Sequence, residues 1–150
     1  KPEYHYIKNN EIGVYKDNDK TVKIIAGKFK NFEGPEKNHN VEPIYLHVLL
    51  NKNKEFNFEL PSGHNSFIYL LKGELKIGNN KHQKINNSTL VLLKNGINLT
   101  VKSSEKSEFL FIAGKPIGET IARGGPFVMN TKEEIIQAIE DYKNGKFARY

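Results

Sequence analysis

The sequence has 150 residues, 37% of them hydrophobic, which suits one domain with a core of its own. It contains no cysteine, and this excludes disulfide scaffolds, cysteine-ligated zinc sites and thiol catalysis. The formal charge of +6 comes from 21 lysines and 2 arginines spread along the chain, so no basic patch for nucleic acid is indicated. No apolar run approaches the roughly 20 residues of a membrane-spanning helix. We expect a cytoplasmic protein, or a nuclear one in a eukaryote.

The first twenty residues are polar, rich in asparagine and nearly without periodicity. We interpret residues 1–20 as a connecting arm that lies on the domain surface and ends in a turn at residues 17–19. From Thr21 the pattern changes, because apolar residues alternate with the others as they do in a strand. A β domain is therefore expected to begin at residue 21.

Short strand patterns separated by turn residues continue up to residue 114. The segment 43–50 is the most apolar of them and is predicted to be buried on both faces, whereas residues 29–42 are predicted to form a polar loop. Asn95-Gly96 lies between two apolar segments and predicts a tight hairpin, since both residues tolerate positive φ. So many short strands indicate an all-β sandwich or barrel. The expected strands are 21–26, 43–50, 55–60, 67–71, 74–77, 81–85, 90–93, 97–101 and 109–113.

The last part of the chain breaks this rhythm. Residues 115–129 are rich in glycine and proline and are predicted to form a long ordered loop. Thr131 and Glu134 then have the spacing of a capping box, in which each side chain bonds the backbone amide of the other residue. A helix of about three turns is expected to follow and to end at Asn144-Gly145. Its apolar face is predicted to consist of Ile135, Ile136, Ile139 and Tyr142.

The five histidines are the first candidates for metal ligands, and no two of them have the spacing of a recognised metal site. His47 lies in the apolar segment 43–50 and is interpreted as a packed or surface residue. His64 lies in a turn before a strand and is the one weak candidate for a metal ligand or a substrate contact; a plain turn histidine is the simpler interpretation. No nucleophile elbow or phosphate-binding loop is present. We therefore expect no catalytic, cofactor-binding or metal-binding residues in this chain.

Longer segments resemble the pirin family. The resemblance covers roughly residues 3–147 and is most specific in the segment Gly-Pro-Phe-Val-Met-Asn-Thr at 125–131. Members of that family consist of two cupin barrels in tandem, and this chain is similar to the second barrel with its connecting arm. The other matching segments are Pro43–Leu46, Phe67–Gly73, Ala113–Ile121, Glu134-Ile135, Ala138-Ile139, Asp141-Tyr142 and Gly145–Phe147.

The resemblance implies an all-β, cupin-type double-stranded β-helix or jelly-roll barrel with one C-terminal α-helix. It divides the chain into the arm (1–20), the barrel (21–114) and an ordered loop and helix packed on the barrel (115–150). In this family the N-terminal cupin holds Fe(II) or another divalent metal, and quercetin dioxygenase activity is ascribed to it. The C-terminal cupin of the family is metal-free.

The metal-binding pattern of cupins gives a residue-by-residue test of that resemblance. Counted from Gly73, the glutamate position of the first motif falls at Ser66 and its two histidine positions fall within residues 59–62. The histidine of the second motif falls at Leu99. None of these positions holds the expected ligand, and His64 lies two residues from the nearest one. The resemblance therefore implies a chain without a cofactor of its own.

The favoured function is that of a metal-free C-terminal cupin domain with a structural or interaction role. Its partner would be the N-terminal cupin of the same parent protein or another protein. Phe127, Val128 and Met129 are the candidate interdomain or partner surface, unless they cover the bottom of the barrel. An alternative makes the chain a fragment of a pirin-type quercetin 2,3-dioxygenase, a metal-dependent oxidoreductase whose catalytic half is the N-terminal cupin. A further alternative is a transcription co-regulator that acts through protein partners; binding to nucleic acid or to a membrane is not expected.

Overall fold

A computed structural model describes residues 4–37, 40–78, 83–94 and 96–146. The chain forms two compact units, residues 1–116 and residues 117–150. The second unit contains β13 (Ala122–Gly124), β14 (Phe127–Met129) and the helix α1 (Lys132–Lys143). The strands of the first unit, in chain order, are β1 (Gly13–Lys16), β2 (Lys20–Ala26), β3 (Lys28–Phe29), β4 (Phe32–Glu33), β5 (Ile44–Leu50), β6 (Glu55–Glu59), β7 (Asn65–Lys72), β8 (Leu75–Ile77), β9 (Gln83–Ile85), β10 (Thr89–Leu92), β11 (Asn98–Ser103) and β12 (Ser107–Gly114).

Two antiparallel sheets make up most of the first unit. One has the strand order β1-β2-β5-β12-β7-β10 and the other has the order β6-β11-β8-β9. The chain therefore crosses repeatedly from one sheet to the other, and most pairing partners are distant in sequence. The short strands β3 and β4 pair with each other. This architecture confirms the predicted all-β class with one helix, because crossing of this kind is typical of a jelly roll.

The core is formed by inward-facing residues of both sheets. Its aromatic centre is Phe56 on β6, whose ring stacks on Phe29 and meets Phe109 of β12 edge to face. Along β5, buried residues alternate with half-buried ones. The prediction that this segment is buried on both faces is therefore wrong: the face with Tyr45 and His47 is only partly covered.

The structure corrects three further local expectations. Part of the expected arm forms β1, which pairs with β2 at the edge of the larger sheet. The expected loop at 29–42 contains β4. The predicted hairpin at Asn95-Gly96 is wrong, because β10 pairs with β7 whereas β11 pairs with β6 and β8. Asn95 itself lies outside the described residues, as do residues 81–82 of the expected strand 81–85.

The predicted turn at residues 17–19 is present and is held by one carboxylate. Oδ1 of Asp17 accepts hydrogen bonds from the backbone amides of Asp19 and Lys20, both at 2.8 Å, and Oδ2 accepts one from the Tyr15 hydroxyl at 2.7 Å. These bonds, above all the one from Tyr15, lower the pKa of Asp17 from 3.8 to about 2. The charged form of Asp17 therefore stabilises the β1–β2 connection.

We expect Asp17→Asn to destabilise the chain by about 0.5–1 kcal/mol near neutral pH, a modest figure because solvent screens a partly exposed carboxylate. Because folding lowers this pKa, the contribution is complete above the unfolded value of 3.8 and disappears as the pH falls through about 2. Urea unfolding at several pH values checks this. Wild type and variant should converge in acid, and a difference that persists below about pH 2 would contradict the assignment.

The second unit begins with a hairpin where a loop was expected. The strands β13 and β14 pair around Gly125-Pro126, and Gly125 adopts a φ of +56° that favours glycine. The capping box is confirmed, since Thr131 Oγ1 accepts from the Glu134 amide at 3.2 Å and Glu134 Oε2 accepts from the Thr131 amide at 2.9 Å. The helix then ends at Asn144, as predicted.

The buried face of α1 differs from the predicted one. Ile135 and Ala138 are buried, whereas Ile136 and Tyr142 are exposed. Ile135 packs directly against Gly124 of β13, where a side chain would clash with it. The helix thus packs on the hairpin of its own unit through Ile135, for which Gly124 leaves room. The packing of this segment on the barrel stays a prediction.

Candidate functional site

Three of the predicted ligand positions meet around one small cavity of about 210 Å³. Leu60 follows β6, Ser66 lies on β7 and Leu99 lies on β11, and all three line this cavity. The Leu60 amide donates a hydrogen bond to the carbonyl oxygen of Ile97 at 2.7 Å, which ties the end of β6 to the segment before β11. The fold therefore brings together positions that are up to 39 residues apart in sequence, as the cupin pattern requires.

The side chains at these positions do not fit a divalent metal. Leu60 and Leu99 are hydrocarbons, both almost fully buried and both part of the main core. Ser66 offers a neutral hydroxyl, whereas Fe(II) sites of proteins use several imidazole and carboxylate donors. Among the described residues, no group of three or more His, Asp or Glu side chains is placed to hold a metal ion. No chemical step can be derived from a metal at this position.

A second, larger cavity lies in the first unit around His64 and has a volume of about 630 Å³. Its walls include the apolar side chains of Ile44 and Phe58, and acidic residues line it as well. It shares no described lining residue with the cavity at Leu60, Ser66 and Leu99. A volume of this size is in the range of sites for small organic molecules.

His64 is buried at the wall of this larger cavity, with only 2% of its side chain exposed. Its Nε2 lies 3.2 Å from the backbone carbonyl oxygen of Glu42. A carbonyl oxygen can only accept, so Nε2 must carry a proton, and in the neutral ring Nδ1 then carries a lone pair. That Nδ1 is buried without a hydrogen-bond partner among the described residues. An unsatisfied buried acceptor costs about 1–3 kcal/mol, which calls for an explanation beyond a plain turn histidine.

Among the described residues, two lysines and four glutamates line the larger cavity: Lys28, Lys37, Glu33, Glu36, Glu42 and Glu59. Glu33 is paired with Lys28 and with Lys37, each at an N–O distance of 3.5 Å. The positive charges of the two lysines lower the pKa of Glu33, and Lys28 has the larger effect. Glu42 and Glu59 form no ion pair with a lysine in the part of the chain that the structure describes, and Oε2 of Glu42 lies 4.0 Å from Nε2 of His64. The negative charge of the cavity is therefore only partly balanced.

His47 has a partner that its sequence position does not reveal. Its Nε2 lies 2.7 Å from Oε1 of Glu108, across the pairing of β5 with β12. Both residues are on the outward face of the larger sheet, and neither lines the two cavities. The interpretation of His47 as a packed or surface residue agrees with this placement. His39 and His82 lie outside the described residues.

The three residues of the candidate partner surface do not share one environment. Val128 is 62% exposed, whereas Phe127 and Met129 are half-buried on the opposite side of β14. The Phe127 ring meets the Tyr142 ring edge to face at 6.1 Å, within the second unit. Of the three, Val128 is thus the residue best placed to contact a partner.

The chain crosses repeatedly between two packed sheets, and three of the predicted ligand positions line one small cavity. This arrangement defines a cupin-type domain in which those three positions hold leucine and serine in place of histidine and glutamate. The family model of the pirin C-terminal cupin domain matches residues 45–148. The chain therefore belongs to the pirin family, as its C-terminal cupin domain.

Individual relatives agree with this assignment. The chain is 36% identical to human pirin over 149 residues, which is 97% of the chain and 51% of that protein. It is also 36% identical to mouse pirin, with the same coverage. Among solved structures it resembles a quercetin 2,3-dioxygenase from Acinetobacter baumannii, with a TM-score of 0.86 and 27% identity over 97% of this chain and 51% of that one.

The chain spans about half the length of these relatives. Within the described residues, no helix combines the length and the apolar character that crossing a membrane requires.

Proposed function

We propose that this chain is a metal-free C-terminal cupin domain with a structural or interaction role in a pirin-like cytoplasmic protein. The observation that carries the proposal is a pair of buried leucines: Leu99 at the histidine position of the second cupin motif, and Leu60 within the range 59–62 where the two histidines of the first motif are expected. A catalytic metal site keeps an open coordination position for substrate. Leu60 and Leu99 instead contribute hydrocarbon to the core, which stabilises the sandwich and places no metal donor at these two positions.

The test is the metal content of the purified chain, measured by mass spectrometry before and after incubation with Fe(II), Mn(II), Ni(II) and Cu(II). We expect less than about 0.1 equivalent of each ion, because tight binding needs several deprotonated donors at one point. His64→Asn and the matched control His47→Asn identify the source of any bound metal. Close to one equivalent in the wild type, lost in His64→Asn but kept in His47→Asn, would overturn the metal-free proposal.

The proposed partner is the N-terminal cupin of the same parent protein, or another protein, and Val128 is the proposed contact. An exposed apolar side chain beside a hairpin turn can be covered at little cost when a partner binds. We expect Val128→Asp to weaken binding to a separately produced N-terminal half by about tenfold, as for an interface residue worth more than 1 kcal/mol. Val14→Asp is the matched control, since Val14 is a partly exposed valine of β1 in the first unit. Equal losses in both variants would refute the assignment.

A second candidate function is that of the non-catalytic part of a dioxygenase. It is favoured by the similarity to a solved structure that is named as quercetin 2,3-dioxygenase. In that case the metal and the oxidation of quercetin would be found only when this chain is joined to the other half of such a protein. Comparison of the metal content and quercetin turnover of a full-length parent with those of this chain separates the two candidates.

A further inference from the structure

The cavity around His64 has the features of a binding site that the metal-free role leaves unused. We propose that it binds a small organic cation that carries an N–H donor on an apolar body. The cavity lies within the first unit and shares no described lining residue with the one at Leu60, Ser66 and Leu99, although Glu59 and Pro61 of the range 59–62 line it. Its volume of about 630 Å³ accommodates a molecule with one aromatic ring and a short side chain.

The requirement for a donor follows from the tautomer of His64. Nε2–H donates a hydrogen bond to the Glu42 carbonyl oxygen, so Nδ1 of the neutral ring can only accept. Nδ1 has no hydrogen-bond partner in the described part of the chain, and only 2% of the His64 side chain is exposed. Because His64 lines the cavity, an N–H donor of a ligand bound there is the group that we expect to satisfy Nδ1.

The positive charge of the ligand follows from the carboxylates. Both lysines of the cavity, Lys28 and Lys37, are already paired with Glu33. Glu42 and Glu59 have no lysine partner among the described residues and are exposed at the cavity. A cation is therefore attracted to this rim, whereas an anion is repelled.

The apolar body of the ligand follows from the remaining walls. Ile44 and Phe58 line the cavity with hydrocarbon and with an aromatic ring, and Pro43 and Pro61 add further apolar surface. Apolar walls with a few polar groups that fix orientation are the usual construction of a small-molecule site. A simple inorganic cation would leave these walls uncovered.

The experiment uses three probes of similar shape and different charge: phenethylamine, 2-phenylethanol and 3-phenylpropionate. Each is titrated to about 10 mM into the ¹⁵N-labelled chain, a range that detects millimolar affinity. We expect saturable amide shifts around residues 42–44 and 58–64 with phenethylamine, weaker binding of the alcohol and none of the acid. The ring ¹⁵N resonance of His64 Nδ1 should shift as it accepts a hydrogen bond.

Three variants test the contribution of charge. Glu42→Gln and Glu59→Gln should each weaken phenethylamine binding by about two- to fivefold, the range of exposed charge pairs. Glu105→Gln removes an equal charge from an exposed residue that does not line the cavity and should leave the affinity unchanged. The proposal is wrong if phenethylamine gives no saturable shifts, if the acid binds equally well, or if Glu105→Gln weakens binding as much as the other two variants.

Discussion

Phe56→Ala is expected to destabilise the first unit by about 3–5 kcal/mol, as truncation of a fully buried phenylalanine does. The Phe56 ring is completely buried at the centre of the core. Its centroid lies 5.5 Å from that of Phe29 and 5.6 Å from that of Phe109, so the ring joins the two sheets and the short strand β3. Removing it leaves a cavity that these rings cannot fill by small adjustments.

Urea unfolding followed by circular dichroism of the strands measures the loss, and Phe32→Ala is the matched control. Phe32 is also an aromatic residue of a strand, but it is 42% exposed, and among the aromatic rings of the described residues it meets Tyr15 alone, edge to face. We expect its truncation to cost no more than about 1 kcal/mol. A loss at Phe56 no larger than the loss at Phe32 would show that the described core is wrong.

The aromatic core is also where sequence reasoning succeeded. Alternating apolar residues predicted β6, because one face of that strand is buried against the other sheet, and a short apolar segment after turn residues predicted 109–113 of β12. The same rule missed β3 and β4, which have two residues each and are too short to show a period. It also gave no warning that Pro43–Leu50 would have one half-covered face, since residue type alone does not report what covers a sheet.

The failure of the Asn95-Gly96 hairpin has a different cause. A two-residue turn signal describes only local backbone geometry. The pairing partner of β10 depends on which apolar face can be buried. In the larger sheet β10 pairs with β7, which lies some 20 residues earlier in sequence. Strand pairing in a jelly roll is largely between segments distant in sequence. Local signals therefore predict where strands occur better than they predict which strands pair.

Of the two cavities of the candidate site, sequence reasoning anticipated one and missed the other. Counting from Gly73 gave Ser66 and the range 59–62, and counting from Gly96 gave Leu99; of these positions, Leu60, Ser66 and Leu99 line one cavity, because the family pattern records which positions converge. The cavity around His64 could not be found like this. Its described walls come from residues 27–37, 42–44 and 58–64. The group that places a proton on Nε2 of His64 is a backbone carbonyl, which has no signature in the residue type of Glu42.

Gly73→Ala is expected to destabilise the first unit by about 2–4 kcal/mol, the sum of a backbone and a packing cost. Gly73 follows β7 with a φ of +95°, a conformation that strains any residue with a Cβ. An added Cβ would also lie 2.7 Å from the Lys106 carbonyl oxygen and from the Ser107 Cα. Those are backbone atoms of a paired segment and cannot move aside as a flexible side chain would.

The hydrogen bonds of Ser107 explain why the clash at Gly73 should also destabilise the neighbouring strands. Its buried hydroxyl accepts a hydrogen bond from the Glu74 amide at 3.1 Å and lies within bonding distance of the Glu74 and Glu105 carbonyl oxygens. Displacement of residues 106–107 by a new Cβ would lengthen these bonds between the end of β7 and the start of β12. Both strands are interior to the larger sheet, so the damage should reach the core.

Gly63→Ala separates the two contributions. Gly63 has a similar φ of +82°, but no atom lies within 4 Å of an added Cβ. We expect this control to lose only the backbone part, about 1–2 kcal/mol. Urea unfolding of the two variants measures the difference directly. Equal losses would mean that residues 106–107 yield to the new methyl group, and the tight junction at Gly73 would then have no part in holding β7 against β12.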